Sequence, residues 1–249
     1  MWGEKMFNFC EKQLLSQYTS FNFNEFFSAC QKSGCKLAES TLRKKLKELV
    51  QCGEVIRVGR NAYCIPSKAV EPYSYQYSDA AVSLVNIVHE NYPLVAFSIF
   101  ELVQLNEFIN HQLAHNILFL SVENEAVEFV FDTLKQQYPG KVLLEPTPEL
   151  YQQYWYDGII VIDRLVTEAP KGYPEPWNTR LEKMLVDLVS DQIIMESISE
   201  SEFPGILEDA FAKYVIDESS LFRYAKRRGA EKRLKKMIRH QTNIKLRTE

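Results

Sequence analysis

Between Ser40 and Ile65 the hydrophobic period changes from that of a helix to that of a strand, with a glycine at the change. At about 100° per residue, Leu42, Leu46, Leu49 and Val50 fall on one face of a helix. Ser40, Lys44, Lys47 and Glu48 fall on the opposite face, with Thr41 and Arg43 on its flanks. Ser40 is placed to cap this helix, which is expected to run to about Cys52, and Gly53 suits the left-handed position just past its end. Two β-rich runs follow, 54–58 and 62–65, around Gly59-Arg60-Asn61. That pattern predicts a hairpin, closed by Pro66. Upstream, residues 5–18 carry Phe7, Cys10, Leu14 and Leu15 at helical spacing, and 25–32 carry Phe26, Phe27 and Cys30. Capping residues lie between these two segments, and Ser33-Gly34 marks a turn after them.

Three helices and a hairpin over residues 1–68 form the order of a winged helix-turn-helix. In such a unit the third helix needs two unlike faces, one anchored on its neighbours and one free to enter the major groove of duplex DNA. Ser40, Thr41, Arg43 and Lys44, near the helix start, are the expected base contacts. Lys47 is expected at phosphate, and the hairpin would carry Arg57, Arg60 and Asn61 to the backbone or minor groove. Charge is distributed accordingly. Residues 1–68 hold 11 Lys/Arg and 6 Asp/Glu; 69–217 hold 7 and 24; 218–249 hold 11 and 3. A basic head, an acidic body and a basic tail point to phosphate contact at the head.

Residues 69–77 lack helical period and read as a linker. From 78 to 249 the chain predicts a mixed domain. Helices are expected over 79–90, 125–137, 148–154 and 179–189, the last capped by Asn178. Strands are expected over 95–100, 117–122, 142–144 and 158–163, the last strongly β-branched. Further helices are expected over 202–215, 218–228 and 230–241, with Gly229 breaking the final pair. The fold class is therefore α+β or α/β: a winged helix-turn-helix, then a larger mixed α/β domain with a helical C-terminal segment. No stretch of eighteen or more apolar residues occurs and the first ten residues carry Glu4 and Lys5, so neither a membrane span nor a signal peptide is expected and the compartment is read as cytoplasmic.

No catalytic motif stands out. The 9 glycines are scattered, without a phosphate-binding loop or a nucleophile elbow. The 5 cysteines, Cys10, Cys30, Cys35, Cys52 and Cys64, have no ligand-pair spacing and read as structural thiols. Asp157, Asp163, Glu168 and Glu182, with Lys171 or Lys183, form the one constellation a metal-dependent nuclease could use. Their spacing matches no strict motif, and an acidic solvated face is the simpler reading. His111 and His115 lie four apart, a ligand spacing on a helix, but no third ligand accompanies them. No metal, cofactor or enzymatic activity is expected. The alternatives to a DNA-binding protein are a nuclease-like enzyme with a winged targeting domain, and a winged protein-interaction module.

The C-terminal helices carry a second basic surface: Arg227, Arg228, Lys232, Arg233, Lys236 and Arg239, opposite the apolar stripe Ala230, Leu234, Met237 and Ile238. It reads either as a solvated face packed back on the acidic body or as a second phosphate-binding or docking surface.

The run STLRKKLKELVQCGEVIRVGRNAY from Ser40 to Tyr63 resembles the winged domain of the antitoxins of abortive-infection AbiE-type, or type IV, toxin–antitoxin systems. LNEFINHQ from Leu105, VTEAP from Val166, LEKMLVDLVSD from Leu181 and FRYAKRRG from Phe222 resemble the larger members of that group. The resemblance implies a transcriptional autoregulator that binds its own operator, without catalysis, through Arg43, Lys44, Lys47, Arg57 and Arg60. It also implies a nucleotidyltransferase-like toxin as functional partner. The chain departs from that pattern at Asn61-Ala62, where a glycine before the second strand is usual.

Overall fold

The computed structural model describes residues 9–16, 20–59, 61–65 and 73–246. The chain divides into two compact units. Met1–Tyr73 form the first with Lys213–Ser220 and Lys245–Glu249; Ser74–Ala212 and Leu221–Ile244 form the second. Residues 69–72 of the expected linker lie outside the described residues, as do Arg60 and Pro66. The whole is a mixed α and β protein. No helix among the described residues is long and apolar enough to cross a membrane.

The first unit holds helices α1 (Phe9–Ser16), α2 (Phe23–Lys32) and α3 (Glu39–Gln51), then strands β1 (Ile56–Gly59) and β2 (Ala62–Cys64). Asn22 starts α2 with a capping box: its side chain accepts from the Asn24 and Glu25 amides, and the Glu25 carboxylate accepts from the Asn22 amide at 2.7 Å. The α3 helix begins one residue before the expected cap. Ala38 sits at its N-cap without a side-chain bond, so Ser40 lies inside the helix. Its far end follows expectation, with Gly53 at φ +76° just past the Cys52 cap. The hairpin pairs Ile56 with Cys64 and Arg57 with Tyr63. A third short strand element, Phe21 between α1 and α2, bridges to Tyr63 through amide–carbonyl bonds of 2.6 and 2.8 Å, and the two rings stack. The core gathers Leu15, Phe21, Phe26, Cys30, Leu42, Leu46 and Val55, all buried.

The second unit is built on a four-stranded sheet of order β3-β4-β6-β5. Its strands are β3 (Phe97–Glu101), β4 (Ile117–Val122), β5 (Val142–Leu144) and β6 (Ile159–Arg164). β3 and β4 are antiparallel; β6 is parallel to both β4 and β5. Helices α4 (Asp79–Asn91) and α5 (Val127–Gln137) bury Leu84, Val88, Val130 and Leu134 against Ile99, Leu120 and Ile162 of the sheet. β4, β6 and the central pairs are buried on both faces, which explains their continuous apolar runs. α6 (Pro148–Tyr154) lies between β5 and β6 in sequence. After β6 come α7 (Leu181–Asp187), α8 (Gln192–Ser197), α9 (Phe203–Lys213), α10 (Glu218–Arg227) and α11 (Glu231–Gln241).

Two differences from expectation have local causes. The helix expected over 179–189 starts later, with Arg180 rather than Asn178 at its N-cap. The preceding residues instead run alongside β3: the Ile99 amide donates to the Trp177 carbonyl at 2.9 Å and the Thr179 hydroxyl donates to the Ile99 carbonyl at 2.7 Å. This extended segment covers an edge that would otherwise present unpaired backbone. The helix α8 and a 3-10 turn at Leu102–Glu107 were not anticipated. Asp191 starts α8 by accepting from the Ile193 and Ile194 amides, a local choice that hydrophobic period does not reveal.

Candidate nucleic-acid interface

Helix α3 is anchored by Leu42 and Leu46, which are 1% and 3% exposed, with Leu49 and Val50 packed at the margin. Burial of that stripe leaves Ser40, Arg43, Lys44 and Lys47 exposed, and Thr41 half-buried. Lys44 and Lys47 have no ion-pair partner among the described residues. Arg43 differs. Its Nε and Nη2 donate to Glu39 Oε1 at 3.1 and 2.7 Å, and its guanidinium lies 3.9 Å from the centroid of the Phe23 ring. A planar cation stacked on an aromatic ring and held by a carboxylate one turn away has a set direction before any ligand arrives. Glu39 and Phe23 were not singled out from sequence, although the i,i+4 spacing of Glu39 and Arg43 was a visible signal.

Arg57 is half-buried and already engaged. Asn61 has φ +53°, and its side-chain oxygen accepts from the Phe23 amide at 3.2 Å. That bond ties the hairpin turn to the start of α2. Asn tolerates left-handed backbone where most residues do not, which accounts for an Asn where glycine is usual.

The C-terminal cations divide: Arg228 and Arg233 are half-buried, and the other four are exposed. Arg228 Nε lies 3.3 Å from Asp187 Oδ1 and donates to Ser190 Oγ at 3.1 Å; its Nη2 lies 3.6 Å from Asp191 Oδ2. Arg233 donates to the Val189 carbonyl at 3.2 Å and pairs with Glu200 at 2.8 Å. Arg227 donates to the Thr167 hydroxyl at 2.6 Å. Lys232, Lys236 and Arg239 stay exposed along α11.

Around Arg228 the second unit holds a buried ionic cluster. Lys183 Nζ donates to Asp187 Oδ2 at 2.7 Å, and the Tyr224 hydroxyl donates to Asp187 Oδ1 at 2.9 Å. Burial, and then the charge of Asp191, push Asp163 up to about 7. Asp191 is also raised, chiefly by burial.

The carboxylates considered for metal chemistry do not converge. Asp157 lies at the opening end of β6 and accepts from the Asn116 amide at 2.9 Å, while Asp163 lies towards the other end of the strand. Six residues of extended chain separate them by roughly 20 Å. Glu168 pairs with Arg223 at 3.1 Å and Glu182 with Arg180 at 2.8 Å. Lys171 is exposed. No group of three or more His, Cys, Asp or Glu that could hold a metal ion occurs among the described residues. The segment carrying His111 and His115 is not helical, so their spacing does not place them on one helix face. His115 instead packs edge-on against Trp155, 3.9 Å from Asp157 Oδ1. The thiol of Cys30 is buried and pushed up to about 12 by burial first and by Glu11 next, which suits a packing role.

Among solved structures, the chain is similar to the RV2827C protein from Mycobacterium tuberculosis, at 11% identity over 90% of this chain and 76% of that one, with a TM-score of 0.32. No curated protein matches. The family whose description is "Family of unknown function (DUF6577)" matches residues 41–244, and the chain belongs to it.

Proposed function

We propose that the first unit is a winged helix-turn-helix that binds double-stranded DNA, with α3 as the recognition helix and the hairpin as the wing. One observation carries this reading: α3 is fixed by a buried leucine stripe and leaves Ser40, Lys44 and Lys47 exposed on its other face, with two lysines that no carboxylate among the described residues neutralises. The excess of basic residues over 1–68 and the bridge from Phe21 to the hairpin support it. Lys44 and Ser40 would reach base edges, Arg43 would act from its fixed position on Phe23, and Lys47 would meet phosphate.

The chain acts in this reading as a transcriptional regulator of its own operator, by binding rather than by catalysis. The resemblance of 40–63 and of the body segments to AbiE-type antitoxins extends the proposal to neutralising a nucleotidyltransferase-like toxin. The test is fluorescence anisotropy with the duplex upstream of the gene and with a scrambled duplex, over a range of salt. Preference for the upstream duplex, with affinity falling steeply as salt rises, is the expected outcome. Equal binding of both duplexes at moderate salt would refute the regulator. Failure to restore growth when co-expressed with the toxin encoded beside it would refute the antitoxin role alone.

A further inference from the structure

The second unit contains a groove of about 560 Å³ at the carboxyl ends of the parallel strands β4 and β6, the end of such sheets where ligands commonly bind. Its walls come from the approach to β3, the turn after β4 and the stretch after β6. Leu94 and Trp177 supply apolar surface, and Leu94 is 95% exposed. The stretch after β6 is closely folded on itself. A Cβ at Gly172 would stand 2.1 Å from the Asn178 carbonyl oxygen and 2.5 Å from that of Glu175, so this wall is preformed.

The polar lining is acidic. Four glutamates and one lysine, Lys171, border the groove. Glu168 is taken up by Arg223. Glu123, Glu125 and Glu175 have no cation partner among the described residues. A further polar group lines the same groove: Ser98 is 6% exposed, and its hydroxyl has no hydrogen-bond partner among the described residues. Buried hydroxyls are nearly always bonded, so an open one beside a cavity marks a place for a ligand group.

We infer that this groove binds a small organic cation: a protonated amine on an apolar or aromatic body. The body would pack on Leu94 and Trp177. The ammonium would be balanced by Glu123, Glu125 and Glu175, with one N–H donated to the Ser98 hydroxyl oxygen. An aromatic wall and uncompensated carboxylates both favour a cation over a neutral or anionic ligand. The volume suits a small molecule, and the acidity excludes nucleic acid from this surface. The inference stands apart from the DNA-binding reading and does not depend on it.

The test is a titration of the ¹⁵N-labelled full chain near neutral pH with phenethylammonium, and in parallel with phenylacetate as the charge-reversed match. The three tryptophans give separate indole N–H signals, and Trp177→Phe identifies the relevant one. Phenethylammonium is expected to move the Trp177 signal saturably, with a Kd of about 1 mM or tighter. Glu175→Gln, at an exposed position that leaves the fold intact, should weaken it roughly three-fold. Ser98→Ala should weaken it about five-fold. The inference is overturned if no saturable shift occurs below about 10 mM, if the Trp177 signal stays still, or if phenylacetate binds as tightly.

Discussion

Two basic stretches look alike in the sequence and differ in what surrounds them. On α3, Lys44 and Lys47 face outward with no ion pair among the described residues, and Arg43 is held by Glu39 and Phe23 of its own unit. Just past the end of α10, Arg228 lies among Asp187, Asp191 and Ser190, and on α11 Arg233 is bound to Glu200 and the Val189 carbonyl. The difference follows from charge supply. Residues 1–68 have more cations than carboxylates, so some cations stay unmatched; 69–217 carry 24 acidic residues against 7 basic ones and draw Arg228 and Arg233 in. A cluster of basic residues therefore marks a phosphate surface only where local carboxylates are too few to neutralise it. By that criterion the proposed recognition surface is α3, and Arg228 and Arg233 are chiefly structural.

The comparison breaks most visibly at Arg228. Arg228→Met would leave Asp187 and Asp191 short of a cation in a buried setting and should destabilise the fold by about 3 kcal/mol, read by urea unfolding. Lys44→Met, by contrast, should leave stability within about 0.5 kcal/mol of wild type. Next in size, Lys44→Glu with Lys47→Glu should weaken operator binding roughly 100-fold, about 2.7 kcal/mol, with unfolding unchanged. A protein that still binds its operator after that double reversal would remove α3 from the interface.

The acidity of the Arg228 cluster gives a pH signature. Asp163 is held up to about 7 from an ordinary value of 3.8, so between these values the folded chain keeps a proton that the unfolded chain has lost. Its contribution to stability is present below about pH 4, declines as pH rises through that window and is gone above about pH 7. Asp163→Asn should remove this decline, and unfolding midpoints from pH 4 to 8 would show whether it does. Smaller still, Asn61→Ala should cost about 1 kcal/mol through left-handed strain and the lost bond to the Phe23 amide. Asn61→Gly should cost less, because only the bond is lost.

Much of the frame was legible from local chemistry. The strands Ile117–Val122 and Val142–Leu144 and the helix Pro148–Tyr154 coincide with their periodic segments. The leucine stripe of α3 appears where the helical spacing puts it. The polar contacts of the C-terminal helices were not legible, because the partners are distant in sequence: Tyr224 and Asp187 are 37 residues apart, and Arg233 and Glu200 33. For the same reason the groove at Trp177 could not be anticipated, since its lining comes from three separate stretches. The hydrogen bond of Thr179 to Ile99 spans 80 residues, and it delayed a helix that local pattern starts earlier.

The central claim is that the free cations of α3, and not the bound arginines of the C-terminal helices, neutralise phosphate. The slope of log affinity against log salt tests it most directly, measured on the operator duplex for wild type, Lys47→Ala and Arg233→Ala. The account predicts a slope reduced by about one for Lys47→Ala and unchanged for Arg233→Ala, whose guanidinium is already paired with Glu200. A slope that falls for Arg233→Ala and holds for Lys47→Ala would contradict it.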